Sequence, residues 1–192
     1  MIKSELPIYL CSKSPRRRKL LKQINLQFKT FSVDVDEKIL RGEKPVQSVK
    51  RLSKEKLAEA LFKFKKGIFI TADTIVVLHN KIIGKPENKQ DAIRILKKLS
   101  GRTHTVYTGF TIFNSETKNQ ITDYEKTKVE FRKLSDDEIN EYVKGGSPMD
   151  KAGAYGIQDD FGAVFIKGIN GCYYNVVGLP LPKVYKTLKK II

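Results

Sequence analysis

The sequence predicts a mixed α/β protein, a twisted mixed β-sheet flanked by helices. Two observations lead there. Short apolar runs alternate with amphipathic segments early in the chain, while the middle carries two consecutive long strand-like segments suited to antiparallel pairing. No internal repeat or low-complexity linker interrupts the 192 residues, so a single domain spanning 1–192 is expected.

The first element is a short buried strand, Ile8–Cys11, followed by a tight turn and a helix. Ser14 suits the N-cap, because its hydroxyl can accept from an orphan backbone N–H. Pro15 suits the first helical position, where a missing N–H costs nothing. Arg16, Arg17, Arg18 and Lys19 then fall in the first turn, where the helix dipole favours negative charge. Stacked cations at that end fit a site for an anion such as phosphate; a solvated basic helix is the plainer alternative.

Phe28–Val35 reads as a strand ending in Asp34, Asp36 and Glu37, a possible metal-binding corner or simply a polar turn. Pro45–Lys66 has helical periodicity through Val46, Val49, Leu52, Leu57, Ala60, Leu61 and Phe64, with Gly67 placed to end it. Lys56 sits one residue before Leu57, at the flank of that stripe. Gly67–Leu78 is an apolar, β-branched run, read as a buried central strand with Asp73 in its middle. A buried carboxylate must be paired, hydrogen-bonded or metal-bound.

His79-Asn80 turns the chain into a return strand, Lys81–Gly84, and Gly84-Lys85-Pro86 places a lysine at a tight bend. Lys89–Leu99 is an amphipathic helix. Thr103–Phe113 and Ile121–Phe131 are the antiparallel pair, with His104 read as structural. Ser135 and Glu138 form a capping box opening a helix through Val143. Asp150–Gln158 is rich in Gly and Ala and permits close approach to a ligand. Ala163–Ile169 and Tyr173–Gly178 read as extended, and Leu181–Ile191 as the terminal helix.

The chain carries 37 basic and 21 acidic residues, a net charge of +16, which attracts polyanions. Cys11 and Cys172 lack metal-ligand spacing, and Cys11 reads as a small core residue. The N-terminus has no apolar signal core and no run approaches a membrane span, so a reduced, cytoplasmic setting is expected. Neither a P-loop nor a dinucleotide fingerprint is present. Clustered cations, a carboxylate group and a buried Asp73 suit phosphoryl chemistry assisted by a divalent metal. A basic nucleic-acid-binding protein is the rival reading, but the aromatic residues sit mostly at core positions and Asp73 would have no role.

Ser12-x-Ser14-Pro15-Arg16-Arg17 with Leu20-Leu21 resembles the opening motif of the Maf family, nucleoside triphosphate pyrophosphatases historically linked to septum formation. Further blocks carry the resemblance in family order: Asp36-Glu37, Ala72-Asp73-Thr74 with Gly84-Lys85-Pro86, Lys151 to Gln158, and Asn175 to Pro180. The resemblance implies a Maf/ITPase-like sheet and hydrolysis of nucleoside triphosphates to monophosphate and pyrophosphate. By it, Asp73 is the proton acceptor, and Ser12, Glu37 and Asp73 hold or orient Mg²⁺ or Mn²⁺. Arg16, Lys56 and Lys85 bind the triphosphate, with Arg17 near by. Thr74 and Gln158 select the substrate together with Arg16.

Tyr155-Gly156-Ile157-Gln158 resembles the dTTP/UTP branch rather than the one preferring 7-methyl-GTP, and a Gln amide matches the edge of uracil or thymine. The sequence departs from the family in having Cys11 for Ala, Cys172 for Ser, and Asp159-Asp160 after Gln158. The implied role limits incorporation of non-standard nucleotides, with a link to cell-division arrest. The expected assembly is a homodimer with a nucleoside triphosphate as substrate and no membrane or nucleic-acid partner.

Overall fold

The computed structural model describes residues 2–158 and 161–192; Asp159-Asp160, the departure after Gln158, lies outside the described residues. The strands are β1 (Ile8–Cys11), β2 (Lys29–Phe31), β3 (Ile68–Leu78), β4 (Lys81–Ile83), β5 (Thr103–Asn114), β6 (Gln120–Phe131) and β7 (Ile166–Asn170). The helices are α1 (Pro15–Gln23), α2 (Pro45–Lys63), α3 (Lys89–Leu99), α4 (Asp136–Lys144), α5 (Tyr173–Val177) and α6 (Leu181–Ile191). The sheet order is β2-β1-β3-β5-β6-β7, with β4 off this path on β3. It is mixed, as expected: β1 runs parallel to β2 and β3, whereas β3/β4 and β6/β7 are antiparallel. Among the described residues no helix is long and apolar enough to cross a membrane.

The chain forms two compact units, Met1–Thr74 with Thr108–Glu125 and Gly178–Ile192, and Ile75–Tyr107 with Lys126–Val177. In the first, β1 is buried along its whole length. Tyr9 stacks on Phe69 at 5.4 Å and on Phe64 at 4.8 Å between ring centroids. That stack leaves no space beside Gly67, where a Cβ would fall 2.6 Å from the Tyr9 ring and 2.8 Å from the Pro7 carbonyl oxygen. Gly67 therefore serves close packing rather than ending α2, which stops earlier, at Lys63. A Cβ at Gly109 would lie 2.4 Å from the Val49 carbonyl oxygen, so α2 rests directly on the β5 backbone.

Hydroxyl groups fix how α2 lies on the sheet. Thr71 donates to the Ser53 carbonyl at 2.7 Å, and the Ser53 and Thr111 hydroxyls meet at 2.8 Å. Three residues along a helix rise about 4.5 Å and two along a strand about 6.7 Å. The next inward position on α2, Lys56, therefore comes over the next same-face position on β3, Asp73.

In the second unit, α3 and α4 bury Ile95, Leu96, Leu99, Ile139 and Val143 in a core shared with Val76, Phe131 and Phe165. His79 and Asn80 both have positive φ, 47° and 62°, so the β3–β4 hairpin turns in two residues as anticipated. His104 is buried, as its structural reading anticipated. Its Nε2 lies 2.7 Å from the Tyr155 hydroxyl.

Two extended segments differ from expectation. Tyr173–Val177 is a short helix, because Asn175 donates to the Val106 carbonyl at 3.0 Å and the Thr127 hydroxyl at 2.9 Å. Phe161–Phe165 is a 3₁₀ segment, so β7 begins only at Ile166, paired with Phe131.

Candidate active site

The N-terminus of α1 forms as its sequence dictates. Ser14 is the N-cap and its hydroxyl accepts from the Arg17 N–H; Pro15 follows, and the first turn contains no acidic residue. Arg18 and Lys19 are exposed and Arg16 is half-buried.

Arg17 turns inward. Its Nε donates to the Gly178 carbonyl at 2.7 Å and Nη1 to the Ala72 carbonyl at 2.8 Å. Nη1 also reaches the Ser12 hydroxyl at 3.3 Å, and Nη2 the Thr74 hydroxyl at 3.0 Å. Burial pulls the guanidinium below its ordinary pKa, and the charges of Asp73 and Glu37 act against that pull. Expected beside the triphosphate, Arg17 instead directs four of its five donors at its own chain.

Lys56 and Asp73 are 7% and 5% exposed. The Lys56 ammonium donates to Asp73 Oδ1 at 2.6 Å and to Glu37 Oε1 at 2.7 Å, bridging the two carboxylates. Glu37 stands on an irregular stretch between β2 and α2, which α2 itself secures. Arg51 donates to the Lys38 carbonyl at 2.9 Å and forks onto Glu43 at 2.7 and 2.8 Å. That fork holds the Glu43 carboxyl down at about 2.

The other two acidic residues of the expected corner go elsewhere: Asp34 pairs with Lys13 at 2.7 Å and Asp36 with Lys38 at 3.2 Å, both at the surface. Among the described residues, no group of three or more His, Cys, Asp or Glu side chains could hold a metal. What remains is a carboxylate pair, Asp73 and Glu37, converging on one cation. Oxygen donors of this kind suit a hard divalent ion that completes its shell with water and phosphate oxygens. Ser12, the third expected ligand, has its hydroxyl accepting from the Ser14 N–H at 3.2 Å and from Arg17.

The second unit holds the remaining expected residues. Lys85 is exposed on the bend after β4, which is tied to the Gly-rich loop by the Gly153 N–H donating to the Gly84 carbonyl at 3.0 Å. Gly153, with φ at 75°, packs against Val76, where a Cβ would come within 2.9 Å. Tyr155 is held by His104, and the Gly156 N–H donates to the Tyr142 hydroxyl at 3.3 Å. Burial lowers the His104 pKa to about 4 and pushes the Tyr155 phenol up, so both are neutral at pH 7. Gln158 ends this described stretch with its Oε1 buried and, among the described residues, without a hydrogen-bond partner. Cys11 is buried and its thiol is pushed up to about 12, which suits a core residue and not a nucleophile.

Sequence reasoning missed Gly178 and Arg51. Gly178 offers its carbonyl to Arg17 from a backbone with φ at +118°, a conformation that favours glycine. The Gly-Leu-Pro ending was visible, but its partner 161 residues away was not.

The mixed α/β sheet is one seen in solved structures. A HAM1 protein from Coxiella burnetii superposes with a TM-score of 0.51 over 96% of this chain and 99% of that one, at 13% identity, a likeness of fold alone. At the level of sequence the match is much closer. The model of the family described as Maf-like protein matches residues 7–191, and the chain belongs to that family. The dTTP/UTP pyrophosphatase of Thermosipho melanesiensis is 49% identical over 183 residues, 95% of this chain and 97% of that protein. The dTTP/UTP pyrophosphatase of Carboxydothermus hydrogenoformans is 44% identical over 185 residues, 96% of this chain and 98% of that one.

Proposed function

We propose that this protein hydrolyses nucleoside triphosphates, dTTP and UTP foremost, to the monophosphate and pyrophosphate. The observation that carries the reading is the buried Asp73–Lys56 pair, which reaches the exposed Glu37, in the unit that also holds the cationic start of α1. Water adds to the α-phosphorus, the bond from that phosphorus to the α,β-bridging oxygen breaks, and pyrophosphate leaves. Asp73 accepts the proton of the attacking water. Arg16 and Lys85 take the charged phosphates, and Lys56 orients Asp73 and Glu37 while adding positive charge. Asp73 and Glu37, with Ser12, would hold Mg²⁺ or Mn²⁺, which supplies Lewis-acid polarisation of a phosphoryl oxygen.

The base preference rests on Gln158. Its buried Oε1 has no donor among the described residues, and the N3–H of uracil or thymine would provide one. Thr74 belongs to the same selecting set, and the names carried by relatives over nearly the whole chain support the pyrimidine reading. A homodimer in the cytoplasm, with no nucleic-acid partner, completes the proposal.

The test is turnover of UTP, dTTP, CTP, GTP and 7-methyl-GTP with pyrophosphate detection, with Mg²⁺ or Mn²⁺ and with chelator. UTP and dTTP should be preferred and chelator should stop release. Orthophosphate as the first product, or unchanged turnover in chelator, overturns the reading.

A further inference from the structure

We infer that Arg17 is a positioning residue that fixes the Ala72-Asp73-Thr74 segment for catalysis, and that it does not bind the triphosphate. The inference rests on the proposed hydrolysis, with Asp73 as the proton acceptor.

Strand β1 is short. Its register with β3 runs from Ile8 with Ile68 to Leu10 with Ile70, and β1 itself ends at Cys11. Ala72 lies two residues further along β3, past the end of that pairing. Its carbonyl is instead met by Arg17 Nη1 at 2.8 Å. On the other side of Asp73, the Thr74 hydroxyl receives Nη2 at 3.0 Å and also sits 2.9 Å from the Thr108 hydroxyl. One guanidinium thus grips the residues on both sides of Asp73. Its own orientation is set by the Gly178 carbonyl at 2.7 Å and the Ser12 hydroxyl at 3.3 Å.

A phosphate-binding arginine presents its paired N–H groups to the ligand. Arg17 has one N–H beyond those four bonds, which does not make a fork. A lysine could keep the charge but has three donors on a single nitrogen and cannot span the four acceptors that the Arg17 fork reaches. The arrangement therefore depends on the planar fork rather than on positive charge.

The experiment compares wild type, Arg17→Gln, Arg17→Lys and Arg16→Gln. Turnover of dTTP is measured with binding of a non-hydrolysable α,β-methylene analogue of dTTP and amide hydrogen exchange at residues 72–74. Arg17→Gln should lower kcat about 100-fold, the scale of a small misplacement of a catalytic group. Analogue affinity should stay within about threefold, because the lost interaction acts on the transition state and not on ground-state binding. Exchange at 72–74 should quicken in both Arg17 variants and not in Arg16→Gln, and Arg17→Lys should not restore kcat. Arg16→Gln should weaken the analogue instead.

Wild-type turnover by Arg17→Lys, a tenfold or greater loss of analogue affinity at unchanged kcat (roughly the signature of uniform binding), or unaltered exchange at 72–74 would each overturn the assignment. Should wild type release no pyrophosphate, the functional reading fails while the exchange measurement still decides the role of Arg17. Arg17→Lys also carries the test if Arg17→Gln does not fold.

Discussion

Replacing Asp73 with Asn separates its chemical role from its structural one. The side chains of Lys56 and Asp73 are 9% and 8% exposed, so the charge removed is a buried one. Stranding the partner of a buried ion pair costs about 3–5 kcal/mol. Lys56 is not stranded here, because it keeps Glu37 at 2.7 Å and the Asn carbonyl can still accept from it. The loss is then nearer the gap between a charge-assisted and a neutral hydrogen bond, about 1–2 kcal/mol. For a chain of this size that lowers Tm by roughly 2–8 °C. The amide has no basic site for the proton of water, so turnover should fall by about 10²–10⁴, the usual contribution of a general base. The assay pairs pyrophosphate release from dTTP with thermal melts followed by circular dichroism. Asp34→Asn is the control: that carboxylate pairs with Lys13 at the surface, and turnover should not change. Asp73→Asn turning over within about tenfold of wild type would refute the argument, since a general base contributes at least about a hundredfold.

Gln158→Ala removes the buried amide and should lower catalytic efficiency on UTP and dTTP by about 10–100-fold while eroding discrimination against GTP; an unchanged preference profile across the five nucleotides would rule out its role. Gly67→Ala places a Cβ against Tyr9 and the Pro7 carbonyl at a φ of +148°, and should destabilise by about 1–3 kcal/mol in denaturant melts; an unmoved midpoint contradicts the packing argument. His104 is neutral in the folded protein down to about pH 4, against an ordinary pKa of 6.5. The unfolded chain therefore binds more protons between these values, so stability is full above about 6.5 and is lost as pH falls towards about 4. The full shift corresponds to about 3 kcal/mol, and His104→Gln should flatten this part of the stability–pH curve; an identical curve would exclude His104 as its source.

Elements with strong local signals were legible in the sequence. Lys89–Leu99 and Leu181–Ile191 form where periodicity places them, and α4 opens on its Ser135–Glu138 capping box. Elements whose extent depends on a neighbour were not. Phe28–Val35 reads as one strand, yet only Lys29–Phe31 pairs, because β1 offers just Tyr9, Leu10 and Cys11 as partners. The helix at Tyr173–Val177 is set by what Asn175 bonds to 48 and 69 residues away, which no local pattern reports. The site divides in the same way. Asp73 stood out because a carboxylate interrupted an apolar strand. Lys56 was visible only as a residue at the flank of a stripe, since its place over Asp73 depends on the Ser53, Thr71 and Thr111 hydroxyls.

The charges of this site explain why so basic a protein still needs a dedicated anion-facing surface. Lys56 bridges Asp73 and Glu37, and Arg17 adds a second, half-buried cation whose charge those two carboxylates support. Two cations and two carboxylates leave the cluster close to neutral, so it offers a triphosphate little net attraction. Attraction has to come from outside the cluster. On the proposed function it comes from the first turn of α1, which carries Arg16, Arg18 and Lys19 and no acidic residue of its own. The cations at the helix end, unfavourable against its dipole when no ligand is bound, become favourable once phosphate sits there. On the proposed function, adjacent arginines on that turn would divide the work: Arg16 for the substrate's charge, Arg17 for the backbone that carries Asp73.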